Sequence, residues 1–163
     1  MNFDCTNVGP NNVDLIVTDI NGNVSSCTAI VTVEDNELPT AVCQNITVQL
    51  DATGMATIVP AEVDGGSSDS CGVASSSLDI DTFDCSDVGT PVTVTLTVTD
   101  VNGNSSDCTA VVTVEDSVAP AAVCMDITIQ LDSNGMATIL PADIDGGSTD
   151  ACGISSLAID VNT

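Results

Sequence analysis

Eight cysteines and 24 carboxylates are the chemically capable groups of this 163-residue sequence, and no lysine, arginine or histidine stands beside them. The cysteines are Cys5, Cys27, Cys43, Cys71, Cys85, Cys108, Cys124 and Cys152, with no Cys-x-x-Cys pair among them. Zinc-binding thiolates usually come in such tight pairs, often with histidine. Thiols spread through a small, acidic, β-rich chain point instead to disulfides formed in an oxidising compartment. Redox catalysis is not expected, because no base is present to lower a thiol pKa. The carboxylates are hard oxygen donors of the kind that Ca2+ takes at six to eight ligands.

The missing bases exclude whole classes of function. A formal charge of −24 rules out nucleic-acid binding through a basic patch, and an anionic membrane repels it. A lysine isopeptide crosslink has no lysine to make it. A nucleophilic serine has only carboxylates for a base, and paired acids for glycoside hydrolysis need a cleft that short-looped strands rarely build. The chain is therefore not expected to be an enzyme. Disorder, the other common reading of high acidity, conflicts with 43% hydrophobic residues rich in Val, Ile and Leu. With threonine abundant between them, that composition favours strands.

The cysteines also reveal a repeat. Cys5, Cys27, Cys43 and Cys71 recur as Cys85, Cys108, Cys124 and Cys152, at offsets of 80, 81, 81 and 81. The one-residue slip falls where Gly9-Pro-Asn-Asn-Val13 becomes Gly89-Thr-Pro-Val-Thr-Val94. A period of this size describes small units in tandem. Within a unit, Val92 to Thr99 alternates strictly between apolar residues and threonine, and Asp100-Val-Asn-Gly-Asn104 links it to a second strand over Cys108 to Val114. Asn-Gly between two β-rich runs is a strong hairpin signal, and Asp19-Ile-Asn-Gly-Asn23 repeats it. Further strands are predicted at 45–50, 55–59 and 73–80, with a polar loop over 64–72 and a short piece through 83–89. No helical period is present. The pattern predicts an all-β fold of tandem immunoglobulin-like β-sandwich repeats of about 80 residues, forming a linear array or filament.

Glu34-Asp-Asn-Glu-Leu-Pro39 and Glu115-Asp-Ser-Val-Ala-Pro120 are the expected joints, each an acidic pair before a strand-stopping proline. Residues 1–38 then hold the C-terminal half of one repeat plus its linker, 39–116 a complete repeat, and 117–163 the N-terminal half of the next. A half sandwich exposes an apolar face and open edges. The expectation is that 117–163 is completed by 1–36 of a neighbouring copy, in one covalent array or between chains by donated strands. The start, Met1 to Cys5, carries neither a basic region nor an apolar run, so the exported protein is expected to be longer or to be processed before Met1.

Several spaced motifs carry a family likeness: Ala41-Val-Cys43, the loop Asp64-Gly-Gly-Ser-Ser-Asp-Ser-Cys-Gly72, and Phe83-Asp-Cys-Ser-Asp-Val-Gly89. Val98-Thr-Asp-Val-Asn-Gly-Asn104 and Cys108-Thr-Ala-Val-Val-Thr-Val-Glu-Asp116 complete the set. The chain resembles, over essentially its whole length, the HYR-like domains with four cysteines that occur in tandem in large secreted proteins of Bacteroidota. That resemblance implies a surface adhesin or stalk, extracellular or at the cell surface, of the kind often exported by the type IX route.

Four cysteines in the complete repeat allow three pairings. In a sandwich of this kind the first and last strands can run side by side in parallel, which favours Cys43–Cys108 and leaves Cys71–Cys85. By the same pattern Cys27 pairs with Cys124, and Cys5 with Cys152, across copies. In the same architecture the entering linker, the loop over 64–72 and the final hairpin share one end, gathering Glu34, Asp35, Asp64, Asp69, Asp100 and Asn102 as candidate Ca2+ ligands. The next joint gathers Glu115, Asp116, Asp143, Asp145 and Asp150, with Asp19 and Asn21 of the neighbouring copy. Asp100 to Asn104 also resembles part of an EF-hand loop, but its twelfth position is Val111, so a hairpin turn is the simpler reading. The functional expectation is a structural repeat of an extracellular filament, stalk or adhesin whose partners are identical neighbouring repeats or chains. The alternative is a repeated module that binds a glycan or other surface. The threonine row Thr93, Thr95, Thr97 and Thr99 suits such a surface, but Asp14 and Ile16 replace Thr95 and Thr97 in the companion copy.

Overall fold

A computed structural model describes residues 1–160 and is mostly β. The chain divides into two compact units, each assembled from three separate stretches. The first takes Met1–Gln44, Val59–Asp79 and Val94–Ala110; the second takes Asn45–Ile58, Ile80–Thr93 and the chain from Val111 on. Each unit therefore holds one of the two acidic linkers.

In the first unit, β1 (Gly9–Thr18) and β2 (Val24–Val33) form an antiparallel hairpin with Gly9 opposite Val33 and Thr18 opposite Val24. The β-branched runs supply the strands and Asp19 to Asn23 turns the chain. The Asp19 carboxylate accepts from the Asn21 and Asn23 N–H groups at 2.9 and 2.8 Å. Further along, β5 (Val73–Leu78) pairs antiparallel with β7 (Val92–Asp100), with a bulge between Val73 and Ser75. Val94, Leu96 and Val98 of β7 are fully buried, and the threonines between them are only half-buried. That period of two is the alternation of Val92 to Thr99 in the sequence. Val63 and Ala110 complete the apolar core of this unit.

In the second unit, β3 (Ile46–Gln49) runs parallel to the end of β8 (Ser105–Glu115), with Ile46 opposite Val112 and Val48 opposite Val114. The sheet order is β3-β8-β7-β5. Parallel neighbours need a long crossover, and here the intervening chain makes β4 (Met55–Thr57) and β6 (Thr82–Asp84), which pair with each other alone. Leu50, Ile58, Phe83, Val112 and Val114 are buried. Phe83 is the larger-volume anchor in a core that is otherwise aliphatic.

Two one-turn helices lie where the sequence suggests none: α1 (Pro60–Val63) and α2 (Pro141–Ile144). Four residues are too few to show a helical period. The usable signal is proline at the first helical position with an acid two residues on. Glu62 and Asp143 carboxylates accept from the Val59 and Leu140 N–H groups at 2.7 and 2.8 Å. Among the described residues no helix is long and apolar enough to cross a membrane.

Candidate functional site

Three disulfides form: Cys43–Cys108, Cys5–Cys71 and Cys85–Cys152. They point to an oxidising, extracellular-type environment. The first joins the segment entering β3 to β8, consistent with the parallel pairing of those two strands. The expected Cys71–Cys85 and Cys5–Cys152 bonds are replaced by Cys5–Cys71 and Cys85–Cys152. Cys71 belongs to the first compact unit and Cys85 to the second, and each bonds within its own unit. Cys27 and Cys124 are free and exposed in this single chain.

The two replacement bonds are one bond seen twice, since Cys5 and Cys85 are offset by 80 residues and Cys71 and Cys152 by 81. Each lies beside one acidic linker. A short 3-10 turn presents the first cysteine in both cases, Cys5–Asn7 and Cys85–Asp87. Asp84 holds its turn by accepting from Ser86 N–H at 2.7 Å and Ser86 Oγ at 2.6 Å, while its own N–H donates to Asp87 at 3.0 Å. Asp4 does the same with Thr6 and Asn7. These hydrogen bonds, from the Ser86 and Thr6 hydroxyls first and the backbone second, hold both carboxyls below the ordinary value near 3.8. Asp4 and Asp84 were not singled out in the sequence, although Phe-Asp-Cys-[Ser/Thr]-[Asn/Asp] has the spacing of a reciprocal cap.

The second cysteine is presented by the Asp-Gly-Gly loop. Asp69 accepts from Cys71 and Gly72 N–H groups at 2.7 and 3.0 Å, and Asp150 accepts from Cys152 N–H at 2.8 Å. Close approach explains Gly54, whose φ is +76° and where a Cβ would meet Cys85 Sγ at 2.8 Å and Ala151 Cβ at 3.1 Å. No side chain fits between the staple and the turn after β3.

The acidic candidates separate into two kinds. Asp35 and Asp69 come together beside Cys71, and Asp116 and Asp150 beside Cys152, with donor atoms in each group within 4.8 Å of one another. Asn102 donates to Asp35 at 2.6 Å, bringing the β7–β8 turn to the same place. The sulfurs are consumed in disulfides, so each group offers two carboxylates toward a hard cation, and the remaining ligands would be carbonyls or water. Glu34 lies nearby among Phe3, Asp4, Cys5, Val8, Val33 and Cys71.

The other candidates serve their own turns. Asp64 accepts from Gly66 and Ser67 N–H groups, and Asp145 from Gly147, Ser148 and the Ser148 hydroxyl. Glu115 accepts from Gln49 Nε2 at 2.5 Å, and Asp143 caps α2. Asp19 and Asn21 shape the first hairpin turn. Asp100, only 2% exposed, shapes the second: it accepts from Asn102 and Asn104 N–H groups and from Asn104 Nδ2 at 2.9, 2.8 and 2.7 Å. Desolvation alone would raise its pKa, but the hydrogen bonds led by Asn104 outweigh it and the carboxyl sits below the ordinary value.

The chain matches no protein-family model and no curated protein.

Proposed function

We propose that this chain is a structural segment of an extracellular filament, stalk or adhesin, built of immunoglobulin-like β-sandwich repeats in tandem. The observation that carries this reading is the recurrent staple. Cys5–Cys71 runs from residues 1–38 into 39–116, and Cys85–Cys152 runs from 39–116 into 117–163. Each joint thus has a second covalent connection beside the peptide chain. A binding module gains little from such a bond; a load-bearing element gains a continuous path. The likeness to four-cysteine HYR-like repeats of secreted Bacteroidota proteins points the same way. A glycan-binding plane on the threonine row is disfavoured by Asp14 and Ile16 at the equivalent positions.

The bonds route tension in a defined way. A pull on the ends passes through 1–5, the Cys5–Cys71 bond, 71–85, the Cys85–Cys152 bond and 152–163. Roughly thirty residues lie on that path, which at about 3.5 Å each extend to ~110 Å. The reduced chain would extend to ~570 Å by the same measure. Single-molecule pulling under oxidising and then reducing conditions tests this. Long extension of the oxidised chain would remove the load-bearing reading.

The paired carboxylates at each joint are the proposed seats of Ca2+. With no cation in the side-chain complement, their mutual repulsion must be relieved by ions from solution, by water or by protonation. Thermal unfolding by far-UV circular dichroism should show a higher melting temperature in Ca2+ than in excess EDTA, and Asp35→Asn with Asp69→Asn should remove part of the difference. An equal gain from Na+ at matched ionic strength would reduce these acids to a solvated surface.

A further inference from the structure

The same sequence is folded to different degrees in different places. Met55–Thr57 forms strand β4, while the identical tripeptide Met136–Thr138 forms none. Ile46–Gln49 is strand β3, while Ile127–Gln130, its counterpart one repeat on, is not strand either. The strands differ from their non-strand counterparts in having partners: β3 pairs with β8, β4 with β6 and β5 with β7. Among the described residues after 116, no strand pairs with 125–140 or 153–160.

The missing partners exist at the other end of the sequence. The β1–β2 hairpin is the counterpart of β7–β8, and the 3-10 turn at Cys5 is the counterpart of that at Cys85. Burial shows that this hairpin lacks what β7–β8 has. Leu96 and Val98 are fully buried, but Leu15 and Val17 are 58% and 56% exposed; Leu50 is 3% exposed, but Leu131 is 68% exposed. Two unpartnered faces on one chain are thus complementary, residue by residue, with the complete repeat as their template.

We propose that the occupant of each face is a second copy of this chain. The C-terminal segment of one copy closes over the β1–β2 hairpin of the next. Shifting the observed registers by one repeat places Ile127 and Ile129 parallel with Val31 and Val33, Leu157 and Ile159 antiparallel with Val17 and Leu15, and Met136–Thr138 against Asn2–Asp4. The space that Gly54 shares with Cys85 and Ala151 is empty around Gly135, and the incoming Cys5 and Ser70 fill it. Cys27 and Cys124, the two free exposed thiols, occupy the places of Cys108 and Cys43 and meet across the joint. Their bond forms by exchange with a small-molecule disulfide such as oxidised glutathione: two thiols are oxidised, one disulfide is formed, and two small thiols leave with the protons.

This inference rests on the structural reading above but fails separately from it. The test uses the 163-residue polypeptide in a glutathione redox buffer, examined by non-reducing electrophoresis and by sedimentation. The expected result is a ladder of covalent oligomers that thiol reductant collapses, with Cys27 linked to Cys124 in peptides from Asp-N or Glu-C digestion. The variant with both Cys27→Ser and Cys124→Ser should lose the ladder yet still associate reversibly with concentration. A monomer whose Cys27 and Cys124 both remain alkylatable overturns the joint, as do symmetric Cys27–Cys27 bonds. Either outcome leaves the pulling experiment, and so the load-bearing reading, untouched.

Discussion

Replacing both Cys43 and Cys108 by serine should lower the stability of the chain by about 4 kcal/mol in the chain-entropy account of a crosslink. The bond spans 65 residues, and no route through the other two bridges is shorter, so it removes a large share of unfolded-state freedom. A repeat of about 80 residues has a net stability of only about 4–12 kcal/mol, so the loss is comparable to the whole. At roughly 4–8 °C per kcal/mol for a domain of this size, the melting temperature should fall by about 15–30 °C. Circular dichroism is the appropriate probe, because the chain has neither Trp nor Tyr. Cys27→Ser in the dilute monomer is the matched control and should leave the melt unchanged, since Cys27 is free and exposed. A loss below about 1 kcal/mol for the double variant would mean that the unfolded chain is already held by its remaining bridges.

That expectation also marks how far the sequence could be read. Strict alternation from Val92 to Thr99, followed by Asn-Gly, contains enough local physics to specify β7, its buried face and its turn. The parallel neighbourhood of β3 and β8 was accessible from the sandwich architecture, and with it Cys43–Cys108. The staples were not. Pairing Cys71 with Cys85 assumes that a bond stays within its repeat, whereas Asp84 and Asp87 hold a 3-10 turn that aims Cys85 at the next loop. Nothing in composition or period distinguishes these geometries; only the cap spacing around Phe83-Asp-Cys hints at it. The helical turns at Pro60 and Pro141 escaped for a simpler reason, being one turn long. The acidic residues were legible only in part: Asp35 and Asp69 gather in one place and Asp116 and Asp150 in another, while Asp64, Asp100 and Asp145 each serve a separate turn.

The sharpest contrast between a covered and an uncovered strand face comes from a pair of leucines 81 residues apart. Leu96→Ala removes a fully buried side chain and should cost about 2–5 kcal/mol, the range for a core leucine whose cavity cannot collapse. Leu15 has the same place on its hairpin, flanked two residues away by Val13 and Val17 as Leu96 is by Val94 and Val98, yet is mostly exposed, so Leu15→Ala should change the stability of the dilute monomer by no more than about 0.5 kcal/mol. In the proposed assembly of copies the positions become equivalent and the two costs should converge. Leu15→Ala should then weaken the association of the Cys27→Ser, Cys124→Ser chain while leaving its monomeric melt intact, a combination that a purely local role cannot produce. Were Leu15→Ala as damaging as Leu96→Ala in the dilute monomer, the hairpin face would already be covered within one chain, and the complementary faces would have no use for a second.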